Sequence, residues 1–487
     1  MSDAGILTVD IGGSSLRAGM VDRSGRLGAL VSIPLTHRLD ADGTAETSPR
    51  QWWAAMLAAV EALDPEEAAA IAITGITRSQ VLVGADGQPV RSALLWHDSR
   101  ADATLAGLLA RLPVDHPERA GLNAFHPLAR LWWLADREPE ALAATVAVVD
   151  PKDWLNARLT GVVASDTVSL SRLSMTRDLA AAAGLPDLLP PLGNPVEVLA
   201  PVRAGLPGAL GRLAGVPVIR MATDTWAAAL GLGAMRAGGC YSLSGTTEVL
   251  GVVSDQPLAA DGLLSLDWAH GLWHLGGPMQ AGADCLVWLL DLLGKRGPVG
   301  PILDGLLAGA RDPSPVLFLP HLTGARVPFW DSTRRGSFLG LNRRHGAPDI
   351  AWAVLEGIAC LNRLVLDRAE AARGQSVEAV RFGGGGASSE HWTAIKADVL
   401  GRPVERVATP EPGLAGAAIA ASVALGTHGD LAAAQHAMVT VAERILPDPT
   451  RRADAEALVS RYRVAEDALS ALSAVLATPL PAWTAAR

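Results

Sequence analysis

Cysteine, basic charge and long uncharged apolar runs are all scarce in this chain of 487 residues. The three cysteines, Cys240, Cys285 and Cys360, lie far apart, so we expect buried thiols and neither a zinc site nor a disulfide framework. A formal net charge of −9 argues against nucleic acid or an anionic membrane as the main partner, because both select basic patches. No uncharged run reaches the ~20 residues of a membrane-spanning helix.

Targeting and metal-binding patterns are missing as well. Residues 1–5 carry no basic cluster and the apolar run after them is interrupted by Asp10, so we expect no signal peptide and a cytoplasmic protein. Histidines and carboxylates do not cluster at metal-ligand spacing, which disfavours a metal hydrolase. No helix-turn-helix or basic extension indicates DNA binding.

The composition is that of a folded protein with more than one core. Hydrophobic residues make up 49% of the chain and charged residues 19%. A chain of this length favours two domains, and the alternation of apolar strand-like and helix-like segments predicts an α/β fold. We place the domains at residues 1–236 and 237–487, with a helical, loop-rich insertion at about 113–215.

One pattern occurs twice, about half the chain apart. Residues 6–22 and 240–253 each consist of an apolar run, a turn of glycine and hydroxyl residues, and a second apolar run. Such a hairpin turn clusters backbone N–H groups that bind anions, and an ordinary hairpin turn is the alternative. The candidate phosphate-binding residues of the two turns are Gly12, Gly13, Ser14, Gly245, Thr246 and Thr247.

Hydrophobic periodicity predicts the neighbouring elements. Residues 49–63 and 226–235 have the spacing of helices, and residues 70–75 and 216–221 have the apolar runs of buried strands. A long helix is expected over residues 349–373. Asp224 therefore lies just after a strand and before a helix of small residues.

Five segments together resemble the FGGY family of carbohydrate kinases, within the superfamily of actin, hexokinase and the Hsp70 ATPase. In chain order they are residues 10–17, 222–228, 244–247, 336–356 and 384–404. The resemblance implies two actin-like ATPase domains of the ribonuclease H-like type, with a catalytic cleft between them. It implies that the N-terminal domain binds the sugar and the C-terminal domain binds the nucleotide.

The resemblance also implies an ATP- and Mg²⁺-dependent phosphoryl transfer. Asp224 is the candidate base that takes the proton of the substrate hydroxyl, and a simple helix N-cap is its alternative role. Asp10 is the candidate residue that holds Mg²⁺, through water, and a solvated turn carboxylate is the alternative. Arg17 is expected to face the γ-phosphate.

The adenosine of ATP is expected against a run of glycines. Gly384, Gly385 and Gly386 present a surface without side chains on which a planar base can lie, with Ser388 or Ser389 beside it. A flexible loop is the alternative interpretation of such a run.

The sugar-binding segments match the family less closely. Xylulose kinases carry a Gln-Met-His-like segment, and glycerol kinases Arg-Glu, at the place where this chain has Ile76, Thr77 and Arg78. Arg78 could favour a substrate with a carboxylate, or it could be an exposed or structural arginine. Residues 96–100 resemble a Trp-x-Asp-x-Arg segment of ketose and polyol kinases. The candidate sugar-binding residues are Thr77, Arg78, Trp96, Asp98, Arg100 and Asp224.

The expected activity is ATP-dependent phosphorylation of a hydroxyl on a small sugar or polyol. A ketopentose such as xylulose is the leading acceptor, and another polyol, a hexulose or a sugar acid is the alternative. A sugar-responsive regulatory protein with this fold and no transfer activity is the alternative from a different class. A homodimer is one possible assembly.

Overall fold

Strands and helices alternate along the chain and divide into two units. The computed structural model describes residues 4–116, 118–170, 176–309, 311–312 and 315–477. The first unit comprises Met1–Gly231 and Glu411–Val439, and the second comprises Leu232–Pro410 and Thr440–Arg487.

The helices of the described residues, in chain order, are α1 (Pro49–Leu63), α2 (Asp102–Arg111), α3 (Pro127–Arg137), α4 (Pro139–Ala143), α5 (Pro151–Thr160), α6 (Arg177–Ala183), α7 (Ala209–Arg212), α8 (Asp224–Gly231), α9 (Ala283–Leu292), α10 (Val299–Leu307), α11 (Ala347–Arg373), α12 (Glu390–Leu400), α13 (Pro412–Ala424), α14 (Leu431–Met438) and α15 (Arg452–Ala477). Short 3₁₀ helices cover Arg119–Gly121 and Gly385–Ser388. Within this described part of the chain, every helix is too short or too polar to span a membrane.

The strands of the first unit are β1 (Ile6–Ile11), β2 (Ser15–Val21), β3 (Leu27–Pro34), β4 (Arg38–Leu39), β5 (Ala45–Thr47), β6 (Ala70–Gly75), β7 (Val81–Gly84), β8 (Ala93–Leu94), β9 (Thr145–Val149), β10 (Ser165–Asp166), β11 (Leu192–Gly193), β12 (Glu197–Pro201) and β13 (Pro217–Arg220). Those of the second unit are β14 (Cys240–Ser244), β15 (Glu248–Ser254), β16 (Leu264–Asp267), β17 (Trp273–Pro278), β18 (Leu317–Leu319), β19 (Ser337–Leu339), β20 (Val380–Gly383), β21 (Val404–Val407) and β22 (Val441–Ile445).

The main sheet of the first unit has the order β12-β13-β6-β1-β2-β3. Strands β1 and β6 run parallel at its centre, and all six residues of each are buried. Such central parallel strands are apolar throughout because both of their faces are covered. Helix α1 buries Trp52, Met56 and Val60, which are spaced four residues apart and so lie on one face.

The main sheet of the second unit has the order β16-β17-β15-β14-β20-β21-β22. Strand β14 pairs antiparallel with β15 and parallel with β20, so the ends of β14 and β20 lie at the same edge. The long helix α11 buries one residue after another against this sheet, among them Val354, Ile358, Val365 and Ala369.

Most of the expected elements are confirmed. Helix 49–63 and strand 70–75 have the expected bounds, and both repeated segments are antiparallel hairpins. The three cysteines are buried and free, as expected. The helix expected at 226–235 instead spans 224–231, because the hydroxyl of Thr223 accepts a hydrogen bond from the N–H of Trp226 and so caps an earlier start.

Two expectations about domain organisation differ from the structure. Only part of the stretch 113–215 is separate from the main core: β12 is the edge strand of the main sheet and α5 buries Trp154 in the first unit's core, whereas residues between Leu122 and Leu188 contribute to a second hydrophobic cluster. The segment 411–439 lies in the first unit, although we expected it within 237–487. Helix α13 is apolar on nearly every side, so it requires burial all round and packs on α8, β1 and β6.

Candidate active site

A charged cluster forms at the end of the first hairpin. Asp10 and Arg17 are opposite one another on β1 and β2, and Asp10 Oδ2 accepts a hydrogen bond from Arg17 Nη2 at 2.8 Å. Arg17 Nη1 donates to Glu411 Oε2 at 2.6 Å. Arg17 thus bridges two carboxylates, one at the end of the sheet and one just before α13.

Asp224 is the third carboxylate of this cluster and begins α8. Its Oδ1 accepts hydrogen bonds from the N–H of Thr225 at 2.6 Å and from the Thr225 hydroxyl at 3.2 Å. Burial, followed by the charge of Asp10, raises the pKa of Asp224 to about 7 from an ordinary value of 3.8. The hydroxyl of Thr223, and not the side chain of Asp224, makes the capping hydrogen bond of α8. The structure therefore does not support the alternative role of Asp224 as a simple helix N-cap.

Close helix packing brings Asp224 to this cluster. A Cβ at Gly416 of α13 would lie 1.8 Å from the carbonyl oxygen of Ala227 on α8, and a Cβ at Gly231 would lie 1.9 Å from the carbonyl oxygen of Pro412. Only glycine fits at these two positions, so the backbones of α8 and α13 are in contact. At the start of α13, a Cβ at Gly413 would lie 3.1 Å from Asp10 Oδ2.

The cluster suits a cation that keeps part of its water shell. Asp10 is 5% exposed, and its Oδ1 accepts no hydrogen bond from the described residues. Burial raises the pKa of Asp10, while Arg17 opposes the rise. The described residues contain no group of three or more histidine, cysteine or carboxylate side chains able to hold a metal by themselves. Mg²⁺ commonly binds through one or two carboxylates, water and substrate phosphates, so the residues fit it.

The turn residues Gly12, Gly13 and Ser14 lie between Asp10 and Arg17 in the chain. The N–H of Gly12 donates to the carbonyl oxygen of Ser15 at 2.9 Å, which closes the turn. Gly13 and Ser14 are exposed. Their contact with a phosphate stays a prediction.

The candidate sugar-binding residues Thr77 and Arg78 directly follow β6. The Thr77 hydroxyl donates to Asp150 Oδ2 at 3.1 Å, and burial raises the pKa of Asp150 to about 8. Arg78 has a positive φ of 59°, and its carbonyl oxygen accepts a hydrogen bond from Arg130, a fully buried residue of α3. These partners fix the backbone and hydroxyl of the segment; its contact with a sugar stays a prediction.

The segment 96–100 is held from within the first unit. Asp98 is 1% exposed and accepts hydrogen bonds from Ala45 N–H at 2.9 Å and from Arg100 Nη2 at 2.7 Å. Arg100 also pairs with Glu46 and lies over the Trp133 ring, 4.4 Å from its centroid. The side chains of Asp98 and Arg100 therefore make hydrogen bonds to other residues of the protein. Trp96 is half-buried, as are His97, Ser99 and Arg100, and the contact of this segment with a sugar stays a prediction.

The candidate nucleotide-binding residues of the second unit line one cavity of about 360 Å³. Helices α9, α10, α11 and α12 form its walls, and the turns after β14 and β20 complete it. A volume of this size is typical of small-molecule sites. The lining residues are Ser244, Gly245, Thr246, Ala283, Leu286, Val287, Val299, Gly300, Leu303, Leu355, Ile358, Gly385, Gly386, Ser388, Ser389 and Trp392.

The glycine run forms a turn that continues into the 3₁₀ helix Gly385–Ser388. Gly384 has a φ of +86°, and a Cβ there would lie 2.5 Å from the carbonyl oxygen of Ser244. Ser389 caps α12 by accepting from Trp392 N–H at 3.2 Å, and the Ser388 hydroxyl donates to the carbonyl oxygen of Gly385 at 2.8 Å. Gly384 and Thr247 are not among the residues that line the cavity, although both belong to turns that do.

Sequence reasoning missed Glu411, Asp150 and Arg130 as parts of the site. Glu411 is 394 residues from Arg17 and Arg130 is 52 from Arg78, so no local pattern joins them. The only local signal was Pro412-Gly413 after Glu411, which marks a helix start and a close approach.

Comparisons with known proteins identify the family of the chain. Residues 5–231 match the N-terminal domain of the FGGY family of carbohydrate kinases, and residues 240–425 match the family's C-terminal domain. The chain is 29% identical to xylulose kinase of Escherichia coli K12 over 82% of this chain and 85% of that protein. It is 30% identical to glycerol kinase of Gloeobacter violaceus over 88% of this chain and 89% of that protein.

Solved structures show the same fold. The xylulose kinase of Rhodospirillum rubrum superposes with a TM-score of 0.81 at 27% identity, over 96% of this chain and 99% of that chain. The expected fold class, α/β with two actin-like ATPase domains, is confirmed.

Proposed function

Because this chain belongs to the FGGY family of carbohydrate kinases, we propose that it phosphorylates a hydroxyl of a ketopentose such as xylulose, using ATP and with Asp224 as the general base. The chain belongs to a family of kinases, which argues against the alternative of a regulatory protein without transfer activity. The observation that carries the proposal is Asp224 itself, a carboxylate at the start of α8 with a pKa raised to about 7.

Asp224 has the properties that a base for a sugar hydroxyl needs. A general base works best when its pKa is near the working pH, and burial and the neighbouring charge of Asp10 move Asp224 into that range. Its Oδ1 is fixed by Thr225, so Oδ2 is the oxygen available to accept the hydroxyl proton. Phosphoryl transfer otherwise depends on positioning and on neutralised charge.

Asp10 and Arg17 supply the charges around the moving phosphoryl group. Asp10, whose Oδ1 accepts no hydrogen bond from the described residues, would hold Mg²⁺ through water, and the metal when bound would neutralise negative charge on the phosphates. Arg17 keeps Asp10 and Glu411 in place through its two ion pairs and is 34% exposed at its side chain. That exposure leaves Arg17 able to meet an anionic ligand.

The identity of the acceptor is the most specific part of the proposal. Xylulose is supported by the relatives that are named xylulose kinases, while a glycerol kinase of similar identity supports a smaller polyol. A sugar acid is the second candidate. Arg130 donates a hydrogen bond to the carbonyl oxygen of Arg78, so two arginines lie near the end of β6, and burial followed by the charges of these two arginines lowers the pKa of His126 to about 3.

The test is ADP release from Mg-ATP with a panel of acceptors. Xylulose, ribulose, fructose, glycerol, erythritol and gluconate are compared by kcat/KM, and we expect xylulose to rank first. A first rank for gluconate would favour the sugar acid, and a first rank for glycerol would replace the ketopentose.

The role of Asp224 is tested by Asp224→Asn. Loss of a general base lowers turnover by about 10²- to 10⁴-fold, so we expect this loss while ADP still binds. Asp22→Asn, which alters an exposed carboxylate in the same unit, is the matched control and should keep normal turnover. Near-normal turnover of Asp224→Asn would show that the base lies elsewhere.

A further inference from the structure

Lys396 of α12 is a fully buried cation beneath the nucleotide-binding turns of the second unit. Its Nζ donates to Glu248 Oε2 at 2.8 Å and to Ser242 Oγ at 3.0 Å. The carbonyl oxygen of the Asn362 side chain accepts a third hydrogen bond. All three donor positions of the ammonium group are therefore used, and each leads to a different element: β15, β14 and α11.

Aromatic rings close the remaining sides of this ammonium group. Nζ lies 4.8 Å from the centroid of the Phe382 ring and 4.7 Å from that of Trp392. The Trp392 indole N–H in turn donates to Ser244 Oγ at 3.3 Å. Lys396 thus contacts groups from the ends of both β14 and β20.

These partners border the two turns that line the cavity. Ser244 immediately precedes Gly245, and Glu248 immediately follows Thr247. Phe382 is the last residue but one of β20, whose end leads into the glycine turn, and Trp392 lines the cavity directly. One ammonium group therefore lies behind both nucleotide-binding turns.

Stability alone is a poor explanation for this ion pair. Lys396 and Glu248 are both 0% exposed, and the free energy lost in removing two charges from water can exceed that gained from pairing them. Glu248 Oε1 is buried and accepts no hydrogen bond from the described residues, so the carboxylate is incompletely satisfied. Apolar residues of similar size would fill the same space with less loss of solvation.

We propose that Lys396 is a positioning residue for the nucleotide, which it serves by fixing the turn 244–247 and the turn 383–389 in one arrangement through Glu248, Ser242 and Trp392. The proposal rests on the proposed function only in that this cavity binds the nucleotide. Pre-organised turns bind a ligand more tightly because no ordering is left to occur on binding.

The test is calorimetric binding of ADP to the full chain, with no sugar present. We expect Lys396→Met to weaken ADP binding by about tenfold or more, since a displaced turn loses at least one hydrogen bond to a phosphate and one such charge-assisted bond contributes roughly that factor. In turnover assays the KM for ATP should rise by a similar factor, whereas the KM for the sugar stays within about twofold of wild type. A purely structural lysine would not divide the two KM values in this way.

Arg334→Met is the matched control. Arg334 is a buried cation of the same unit that pairs with Glu466 and lies over the Phe329 ring, away from the turns that line the cavity. We expect this variant to lose stability and to keep wild-type ADP affinity. Equal loss of ADP affinity in both variants would overturn the proposal.

The double variant Lys396→Met with Glu248→Gln covers the case in which the single variant does not fold. Removing both charges leaves no uncompensated ion, so we expect its melting temperature to return towards that of wild type. We expect its ADP affinity to stay weak, because the contacts that hold the turns are still missing. Wild-type ADP affinity in a folded double variant would refute a positioning role. ADP binding needs no acceptor. Failure of the positioning role can therefore be distinguished from failure of the proposed function, which would appear as no turnover with any acceptor of the panel.

Discussion

The two glycine hairpins have the same backbone plan and opposite uses of their carboxylate. In the first hairpin Asp10 precedes the turn and pairs with an arginine whose side chain is 34% exposed. In the second, Glu248 follows the turn and pairs with a lysine that is 0% exposed. Both carboxylates are buried and each keeps one oxygen without a hydrogen bond from the described residues, so the difference lies in the cation: the arginine beside Asp10 is partly open to solvent, whereas the lysine beside Glu248 is not.

This difference predicts that neutralising the two carboxylates affects different properties of the protein. Stability should depend on Glu248, and turnover should depend on Asp10. Five measurements test these expectations.

Glu248→Gln should give the largest effect, and it should be on stability. The substitution leaves the ammonium group of Lys396 buried without an anion, a change that costs about 3–5 kcal/mol of unfolding free energy in buried pairs. Urea unfolding followed by tryptophan fluorescence measures it. A loss below about 1 kcal/mol would mean that the buried pair does not hold this hairpin.

Asp10→Asn should instead abolish turnover and preserve the fold. Loss of the carboxylate that would hold Mg²⁺ removes a positive charge from the phosphates, and loss of one such electrostatic contact lowers kcat by about 10²-fold or more, equivalent to about 2.7 kcal/mol. Because burial raises the pKa of Asp10, its ionised form is not favoured by the fold, and unfolding free energy should not fall. Asp22→Asn is again the control, and a destabilised but active Asp10→Asn would reverse the comparison.

The raised pKa of Asp224 predicts a pH-dependent difference in stability. The folded chain holds this proton up to about pH 7, whereas an ordinary aspartate loses it near 3.8, so ionisation destabilises the fold as pH rises between these values. Asp224→Asn avoids that loss, and its stability relative to wild type should increase by about 1–3 kcal/mol from pH 5 to pH 8. Asp22→Asn should show no such increase, because its carboxyl has a lowered pKa and stays ionised throughout that range.

The same pKa predicts the pH profile of the reaction. Turnover requires ionised Asp224, so kcat/KM should rise with pH and level off above about pH 7. A profile that is flat from pH 5 to pH 8 would contradict the assignment of Asp224 as the base.

Gly413→Ala should give the smallest effect, confined to the first hairpin. The new Cβ would lie 3.1 Å from Asp10 Oδ2, so the carboxylate must shift by a few tenths of an ångström. We expect a fall of about fivefold in kcat, near 1 kcal/mol, with little change in stability. Gly429→Ala, where a Cβ would meet nothing within 4 Å, is the control and should behave as wild type.

The sequence predicted what short-range chemistry determines. Strand β6 and helix α1 were predicted with their observed bounds because an unbroken apolar run and a four-residue spacing leave few alternatives. Both hairpins were found for the same reason, since glycine turns between apolar runs specify pairing locally.

The rest depended on distant partners. The site residues Glu411 and Arg130, and the Lys396 pair, act through contacts that no local pattern contains. The edge strand β12 was not predicted. It lies in a proline-rich stretch, and it pairs with β13 across intervening residues. Helix α13 was assigned to the second domain, whereas it lies in the first unit. Its apolar character predicts burial but does not indicate which domain buries it.

The return of the chain to the first unit has a consequence for synthesis on the ribosome. Helix α13 covers β1 and β6 and touches α8 through Gly416, yet it is translated about 180 residues after Gly231, once nearly all of the second unit has emerged. A nascent chain that stops at residue 231 therefore has an uncovered apolar sheet and lacks Glu411. Fragments cut between the two family domains should aggregate, and expression of the first unit alone will require residues 411–439 to be supplied by fusion or in trans.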